Sequence, residues 1–288
     1  MTPSRREVQA LLSAGHIRPS RALGQNFVVD DNTVRRIARL AELTPGQPVI
    51  EVGAGLGALT VALAEAGARV TAVEIDQHLV PVLRTHVEGH DVRVVHADAL
   101  TLDWAELLTD DAVPSSSGVA PPWALVANLP YNVAVPVIVR VLDEAPMVAS
   151  LLVMVQREVG ERLAAVPGHK AYGAVSVKVA YHARARLVGR VPAAVFLPRP
   201  RVESVLVRVD RRPAVAVDPA VVSTDRLFSV VRAGFAHRRK MLRRSLEGLV
   251  QPEAYLAAGV EPTARAEELG LEEWGRLAAW EPTDPTAQ

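Results

Sequence analysis

The residues of this chain best suited to chemistry are Asn128, Leu129, Pro130 and Tyr131. An apolar run from Trp123 to Ala127 predicts a buried strand that ends at Asn128, because Pro130 cannot continue a ladder of hydrogen bonds. The Asn oxygen and a turn carbonyl could accept both hydrogens of a planar exocyclic amine, while the Tyr ring stacks on the attached base. The alternative is an ordinary strand-ending turn with a packed tyrosine.

A glycine-rich turn, residues 53–57, follows an earlier predicted strand at 48–52 and leads into a helix. Backbone amides approach a nucleotide closely where no Cβ intrudes, so this turn predicts a nucleotide cradle. The next predicted strand, 69–75, carries Glu74 near its end, where a carboxylate can bind a ribose diol. The spacing from Gly53 to Ala58 also fits the dinucleotide fingerprint. This segment alone therefore favours a nicotinamide enzyme and an S-adenosylmethionine enzyme equally.

A third predicted strand, 92–96, is followed by Asp98. This carboxylate could accept a hydrogen bond from an adenine amine, or simply cap a helix. Strands that alternate with helices predict a mostly parallel sheet, whose ligands bind beyond the carboxyl ends of the strands. Gly53, Glu74, Asp98 and Asn128 follow four successive strands. A hydride-transfer enzyme would use only the first two, whereas a methyltransferase would use all four.

The remaining segments predict further helices, strands and loops. We expect helices at 4–14, 30–43, 134–145, 157–165, 225–250, 252–258 and 264–280, strands at 149–156 and 202–210, and a surface loop at 110–122. The basic segment 166–190 carries Lys170 in a predicted loop. In a second loop, Phe196 either anchors the loop to the core or provides a stacking surface.

Composition limits the possible functions. The chain has no cysteine, which excludes disulfides, thiolate metal sites and cysteine nucleophiles. No stretch reaches the roughly 18 uninterrupted apolar residues of a membrane helix, and the polar N-terminus is not typical of a signal peptide, so we expect a cytoplasmic protein. Residues 151–250 carry 19 basic and 7 acidic side chains. That balance favours a polyanionic partner, although a solvated charged face is the alternative.

The ordered motifs resemble those of the ribosomal RNA adenine dimethyltransferases from about Arg21 to Leu269. The matching segments are Gly24-Gln25-Asn26-Phe27, residues 51–57, Glu74-Ile75-Asp76, Asp98-Ala99, residues 128–132, residues 170–173, residues 196–204 and residues 235–242. Leu129 after the asparagine and the Arg-Arg-Lys segment are most similar to the bacterial 16S enzymes. The 23S enzymes of macrolide resistance more often have isoleucine there.

The chain departs from the family pattern at three places. Ala54 replaces a usual proline in the glycine turn, Arg199 and Arg201 stand in a loop that is usually Pro-Pro-Pro-Lys, and the loop at 110–122 is longer than usual. None of these departures removes a polar group from the proposed site. They affect the expected RNA contacts and not the reaction class.

The resemblance implies S-adenosylmethionine-dependent dimethylation of N6 on two adjacent adenosines near the 3′ end of 16S ribosomal RNA. Asn128 and the Leu129 carbonyl would orient the target amine beside Pro130, and Tyr131 and Phe196 would sandwich the extruded base. Positioning would supply most of the acceleration, without a strong general base. The cofactor would be bound by Gln25, Asn26, Val28, Gly53, Gly55, Glu74, Ile75, Asp98, Ala99 and Asn128.

The implied fold is α/β, a Rossmann-like methyltransferase sheet with a small all-helical C-terminal domain. We expect residues 1–211, with an N-terminal helical extension, to form the first domain and residues 212–288 the RNA-binding domain. RNA phosphates would contact Lys170, Arg199, Arg201, Arg232, Arg238, Arg239, Lys240 and Arg243.

The expected partner is 16S ribosomal RNA in a 30S subunit or its precursor. We expect a monomer with no metal and no membrane contact. Two alternatives stay open: a 23S resistance enzyme with the same chemistry, and a non-catalytic ribosome-assembly or transcription factor with the same fold.

Overall fold

The computed structural model describes residues 5–14, 17–20, 22–110 and 121–280. Most of the predicted loop at 110–122 therefore lies outside the described residues. The chain divides into two compact units, Met1–Gly160 with Arg186–Arg211, and Glu161–Ala185 with Arg212–Gln288. The predicted boundary between residues 211 and 212 is also a boundary here, but residues 161–185 join the C-terminal unit instead of the first. The reason is packing: Tyr172, Val177 and Tyr181 are buried in the hydrophobic core of that unit.

A seven-stranded sheet dominates the first unit and confirms the predicted α/β class. Its strand order is β4-β3-β2-β5-β6-β9-β7. The pairs from β4 to β6 are parallel, and β9 runs antiparallel to β6. A separate two-stranded sheet joins β1 to β8. The strands are β1 (Phe27–Val28), β2 (Pro48–Val52), β3 (Arg69–Glu74), β4 (Val92–His96), β5 (Trp123–Asn128), β6 (Val148–Gln156), β7 (Ala183–Val191), β8 (Phe196–Leu197) and β9 (Ser204–Arg211).

The helices of the chain mostly follow the predicted positions within a few residues. They are α1 (Arg5–Ala14), α2 (Asp31–Leu40), α3 (Ala58–Glu65), α4 (Leu79–His86), α5 (Trp104–Asp110), α6 (Ala134–Glu144), α7 (Arg157–Leu163), α8 (Ala174–His182), α9 (Thr224–Ala236), α10 (Leu242–Ser245), α11 (Pro252–Ala258) and α12 (Leu271–Ala279). Six elements were not predicted from the sequence: α4, α5, α8, β1, β7 and β8. Of these, α8 lies in the basic segment 166–190 and β7 ends just after it.

The central strands form because their residues are apolar on both faces. Every residue of β2 is buried, as are the first five of β5, and this continuous burial is typical of parallel strands covered by helices. Helix α2 begins after Asp30, whose side chain accepts a hydrogen bond from the Thr33 N–H.

The predicted single helix at 225–250 is wrong. Helix α9 ends at Ala236, and the chain turns, with the Lys240 N–H bonded to the His237 carbonyl. Met241 then forms a β-bridge with Arg265 before α10 begins. The helix was predicted from apolar residues at spacings of three and four, namely Val231, Phe235, Leu242, Leu246 and Leu249, and all of them pack in one core. The periodicity identified the buried positions correctly and the continuity of the helix wrongly.

Candidate active site

The turn at the end of β5 holds Asn128 in a fixed orientation. Its amide Nδ2 donates a hydrogen bond of 3.0 Å to the Asn26 carbonyl, which leaves Oδ1 as the acceptor of that side chain. The Leu129 N–H bonds the carbonyl of Met154 on β6, at 3.2 Å. The backbone of the turn is therefore bonded to the neighbouring strand, and the side-chain amide of Asn128 is bonded to the N-terminal loop.

The glycine turn between β2 and α3 approaches this asparagine turn closely. Gly53 has φ 73° and Gly55 has φ 59°, a region that side chains disfavour. A Cβ on Gly53 would lie 3.2 Å from the Pro130 ring, and one on Gly55 would lie 3.1 Å from the Phe27 ring. The turn therefore needs glycine for its backbone conformation and for its close packing.

Glu74 ends β3 inside the same site and is 4% exposed. One carboxylate oxygen accepts the Gly55 N–H at 2.7 Å, and the other accepts the Asp76 N–H at 2.9 Å. Burial raises the pKa of Glu74, and these two N–H donors partly offset that rise. Each oxygen keeps a further lone pair, so the carboxylate can still accept hydrogen bonds from a ligand.

Glu51 is a second buried carboxyl group, on β2, and it is 2% exposed. Its Oε2 atom has no hydrogen-bond partner among the described residues. Burial is the largest cause that raises its pKa to about 8, and the nearby charge of Glu74 is a smaller contribution to that rise. Glu51 is therefore mostly neutral at pH 7, whereas a solvated glutamate would be ionised.

The N-terminal loop uses its polar side chains to hold its own shape. Gln25 accepts the Ser20 N–H at 2.7 Å and donates to Asp76 at 2.8 Å. Asn26 donates to the Gly24 carbonyl at 3.0 Å. These contacts place the loop against the carboxyl edge of the sheet, where its backbone supports Asn128.

Two adjoining cavities lie at this edge of the sheet. The larger encloses about 790 Å³ including its open mouth, and the smaller about 500 Å³. The larger is lined by the predicted residues Gln25, Asn26, Val28, Gly53, Gly55, Glu74, Ile75, Asn128, Leu129, Pro130 and Tyr131. Asp98 and Ala99 line the smaller, together with Gly53 and Pro130. Asp98 also accepts the Leu100 N–H at 2.8 Å, within a turn. The next helix begins only at Trp104, so the helix-cap alternative is wrong, and the adenine contact stays a prediction.

These cavities suit a positively charged nucleoside. Two buried carboxyl groups, those of Glu51 and Glu74, line the larger one. Gly53 and Gly55 of the glycine turn also line the larger cavity.

The family model for ribosomal RNA adenine dimethylases matches residues 18–281. The chain belongs to that family. It is 49% identical to the ribosomal RNA small subunit methyltransferase A of Kineococcus radiotolerans, over 97% of this chain and 91% of that protein. It is 46% identical to the protein of the same name from Thermobifida fusca, over 98% and 96%.

Solved structures give the same result at the level of the fold. The 23S rRNA methyltransferase ErmE is 30% identical, with a TM-score of 0.66 over 88% of this chain and 98% of that one. A dimethyladenosine transferase from Plasmodium falciparum is 20% identical, with a TM-score of 0.68 over 87% and 95%, and this likeness concerns the fold alone.

Family membership makes this chain a methyltransferase with S-adenosylmethionine as its methyl donor. No group of three or more His, Cys, Asp or Glu side chains that could hold a metal ion occurs in the described part of the chain. Within the same residue ranges, none of the helices combines the length and apolarity needed to cross a bilayer.

The two aromatic rings expected to hold a base differ in exposure. Tyr131 is partly exposed and lines the larger cavity. Phe196 is 0% exposed and packs in the core with Val28, its partner across the β1–β8 pair. In the structure, Phe196 therefore anchors its loop to the core and does not provide an exposed stacking surface. The predicted sandwich of a base between both rings does not fit this conformation.

The predicted RNA-binding residues are all exposed, in two separate groups. Arg199 and Arg201 belong to the first unit, and Lys170, Arg232, Arg238, Arg239, Lys240 and Arg243 belong to the second. Arg238 differs from the others, because its guanidinium donates to the Lys170 carbonyl at 2.6 Å and pairs with Glu267 at 3.1 Å. These bonds give Arg238 a structural role in its own unit.

Two residues of the site were not predicted. Glu51 stands in a quoted motif, but only the structure reveals that its carboxyl group is buried in the cavity wall. Ser204 bonds the Tyr131 hydroxyl from a position 73 residues away along the chain. The Glu-x-Gly spacing of residues 51–53 could have suggested Glu51. No local signal in the sequence points to Ser204.

Proposed function

We propose that this enzyme dimethylates N6 of two adjacent adenosines near the 3′ end of 16S ribosomal RNA. Its substrate would be a 30S subunit or its precursor, and the enzyme would act as a monomer in the cytoplasm. Two relatives that cover nearly the whole chain carry the name small subunit methyltransferase, which supports 16S over 23S RNA.

The observation that carries this proposal is the fixed amide of Asn128 at the cavity edge. Because Nδ2 is bound to the Asn26 carbonyl, Oδ1 is the atom that can accept a hydrogen from the target amine. The Leu129 carbonyl would accept the second hydrogen. Together they would draw the amine lone pair out of conjugation with the ring, which makes the nitrogen a better nucleophile.

The cavity residues would divide the cofactor between them. Glu74 would accept hydrogen bonds from the ribose hydroxyls, and Asp98 would accept one from the adenine amine. Asn26, Val28 and Gly53 would line the methionine end of the cofactor. When bound, S-adenosylmethionine supplies an activated methyl group on a sulfonium. The chain then needs to position the amine and exclude water, and effective molarity can account for several kcal/mol of the barrier.

The exposed basic residues of both units would neutralise RNA phosphates. Such contacts give affinity and salt dependence with little sequence information. Arg239, Lys240 and Arg243 are better candidates than Arg238, whose guanidinium is already bonded within its unit.

Labelled S-adenosylmethionine, incubated with immature 30S or 50S particles, tests this proposal. We expect label in the 30S particles alone, recovered as dimethyladenosine from 16S RNA. Asn128→Ala should nearly abolish transfer while particle binding stays close to wild type. Asn32→Ala, an exposed asparagine on α2, is the matched control and should transfer normally.

Each other result selects a different function. Label in 50S particles alone would identify a 23S enzyme. Particle binding without any methyl transfer would identify an assembly factor that keeps the fold. An equal loss of binding and transfer in Asn128→Ala would make that asparagine structural.

A further inference from the structure

The ring of Tyr131 is held at its far end by a hydrogen bond that the reaction itself does not require. Its hydroxyl and the Ser204 hydroxyl lie 2.8 Å apart. Ser204 is 0% exposed and is the first residue of β9. Burial raises the pKa of Tyr131, and the bond to Ser204 partly offsets that rise, so the phenol stays protonated at neutral pH.

Ser204 is a rigid partner because the sheet fixes its backbone. It pairs with Gln156 at the end of the long antiparallel ladder between β6 and β9. The Arg157 N–H also bonds the carbonyl of Glu203, the residue before it, at 3.0 Å. The serine hydroxyl therefore has little freedom to follow a moving tyrosine.

The other end of Tyr131 is held by the turn. Pro130 restricts the backbone beside it and packs against Gly24 and Gly53, so closely that a Cβ on either glycine would meet the proline ring at 3.2 to 3.3 Å. The Val133 N–H then closes the turn on the Pro130 carbonyl at 3.1 Å. With its backbone and hydroxyl both fixed, the ring has one orientation along the cavity.

We propose that Ser204 is a positioning residue for the target base: by holding the Tyr131 hydroxyl, it fixes the place and the long axis of the ring against which the extruded adenine stacks. This inference rests on the proposed function. It matters most here because Phe196 is buried, and Phe27, the other aromatic residue of the cavity lining, is only 8% exposed and packs against Gly55. Tyr131 is therefore the partly exposed ring of this lining that can support a base.

Loss of the bond should affect the second methyl transfer most. The base must stay in the site, or return to it, after the first methyl group is added. A ring whose far end can move away from the cavity holds the base for a shorter time, so more adenosines should leave as the monomethyl product. We expect kcat/KM for the particle to fall about three- to tenfold, the equivalent of one neutral hydrogen bond.

A double-mutant cycle with full-length protein tests the proposal. Ser204→Ala and Tyr131→Phe each remove one hydroxyl of the pair and keep the ring, and the double variant removes both. We would measure kcat and KM with 30S particles, the ratio of monomethyl to dimethyl adenosine, cofactor affinity by calorimetry and the midpoint of urea unfolding. Ser150→Ala, on β6 of the same sheet, is the matched control.

We expect both single variants to raise the monomethyl share and to lower kcat/KM. In the double variant, kcat/KM should be no lower than in the more affected single variant. Cofactor affinity should be unchanged in all three variants. Multiplying effects in the double variant would overturn the proposal. So would a Ser204→Ala protein that is less stable yet keeps the wild-type product ratio, because the bond would then be structural only. If the wild-type protein transfers no methyl group, the proposed function and this inference both fail. If the wild-type protein transfers normally and the variants match it in kcat/KM and product ratio, only this inference fails.

Discussion

Replacing Glu51 with glutamine should remove much of the pH dependence of stability in the first unit. The carboxyl group is 2% exposed, and burial raises its pKa in the folded protein to about 8. In the unfolded chain, the same group is solvated and should have a pKa of about 4.3. Between these two values the folded state keeps a proton that the unfolded state has lost.

The difference between these two pKa values sets the sign and the size of the change in the free energy of unfolding with pH. Because the folded pKa is the higher one, the contribution of Glu51 is fully present below the unfolded pKa and is lost as pH rises through the folded pKa. The free energy of unfolding falls by about 1.4 kcal/mol per pH unit in this window, roughly 5 kcal/mol in all. Glutamine stays neutral at every pH, so the variant should become more stable relative to wild type as pH rises, up to about pH 8.

Urea unfolding at about pH 5, 6.5 and 8.5, with and without Glu51→Gln, measures the effect. The difference between variant and wild type should grow with pH and then level off. Glu88→Gln is the matched control, since Glu88 is solvent-exposed and its difference should stay flat. A Glu51→Gln difference that does not change with pH would refute the burial argument.

Three further outcomes follow from the same structure. Glu74→Ala should weaken S-adenosylmethionine binding by about 1–3 kcal/mol in calorimetry, through loss of a charge-assisted hydrogen bond, with no NAD binding in exchange. Alanine at positions 232, 239 and 243 together should lower the slope of log RNA affinity against log salt by about 0.9 per lost duplex contact. Because all three arginines are exposed, circular dichroism should show that the variant is still folded. Gly55→Ala should destabilise the protein by roughly 1–2 kcal/mol in urea unfolding, because its φ is 59°.

The carboxyl edge of the sheet could be predicted well because its signals are local. The strands are rich in valine and other apolar residues, with a continuous apolar run in β5, and a glycine turn or a polar side chain stands at or after the end of each. Since parallel strands end at one edge, the sequence order of Gly53, Glu74 and Asn128 was enough to bring them together.

The C-terminal half was harder to predict because its core is assembled from distant segments. Helix α8 mixes apolar and small residues without a clear face, and it packs in a core built mostly from residues beyond 221. The break after α9 depends on a turn and a β-bridge to Arg265, neither of which alters the apolar spacing. Periodicity reports burial, and burial alone does not require one continuous helix.

The two unpredicted site residues, Glu51 and Ser204, depend on tertiary structure in different ways. A glutamate in a strand is usually solvated, and only the covering helices and the neighbouring Glu74 make this one neutral. Ser204 acquires its role from the ladder between β6 and β9, which brings it to the tyrosine turn. The residues adjacent to them in the sequence predict neither the burial of Glu51 nor the strand register of Ser204.

Phe196 illustrates how the loop around it decides between two roles that the sequence allows equally. Its backbone pairs with Val28, and the Arg5 guanidinium donates to the carbonyls of Ala194 and Phe196 at 2.8 Å and 3.1 Å. These contacts hold the loop down from both sides while the ring fills the core. Stacking on a base would require the ring to leave that core and would cost its apolar burial, on the order of 2 kcal/mol. Tyr131, already at the cavity wall, incurs no such cost, so in this conformation the base-binding surface is one-sided.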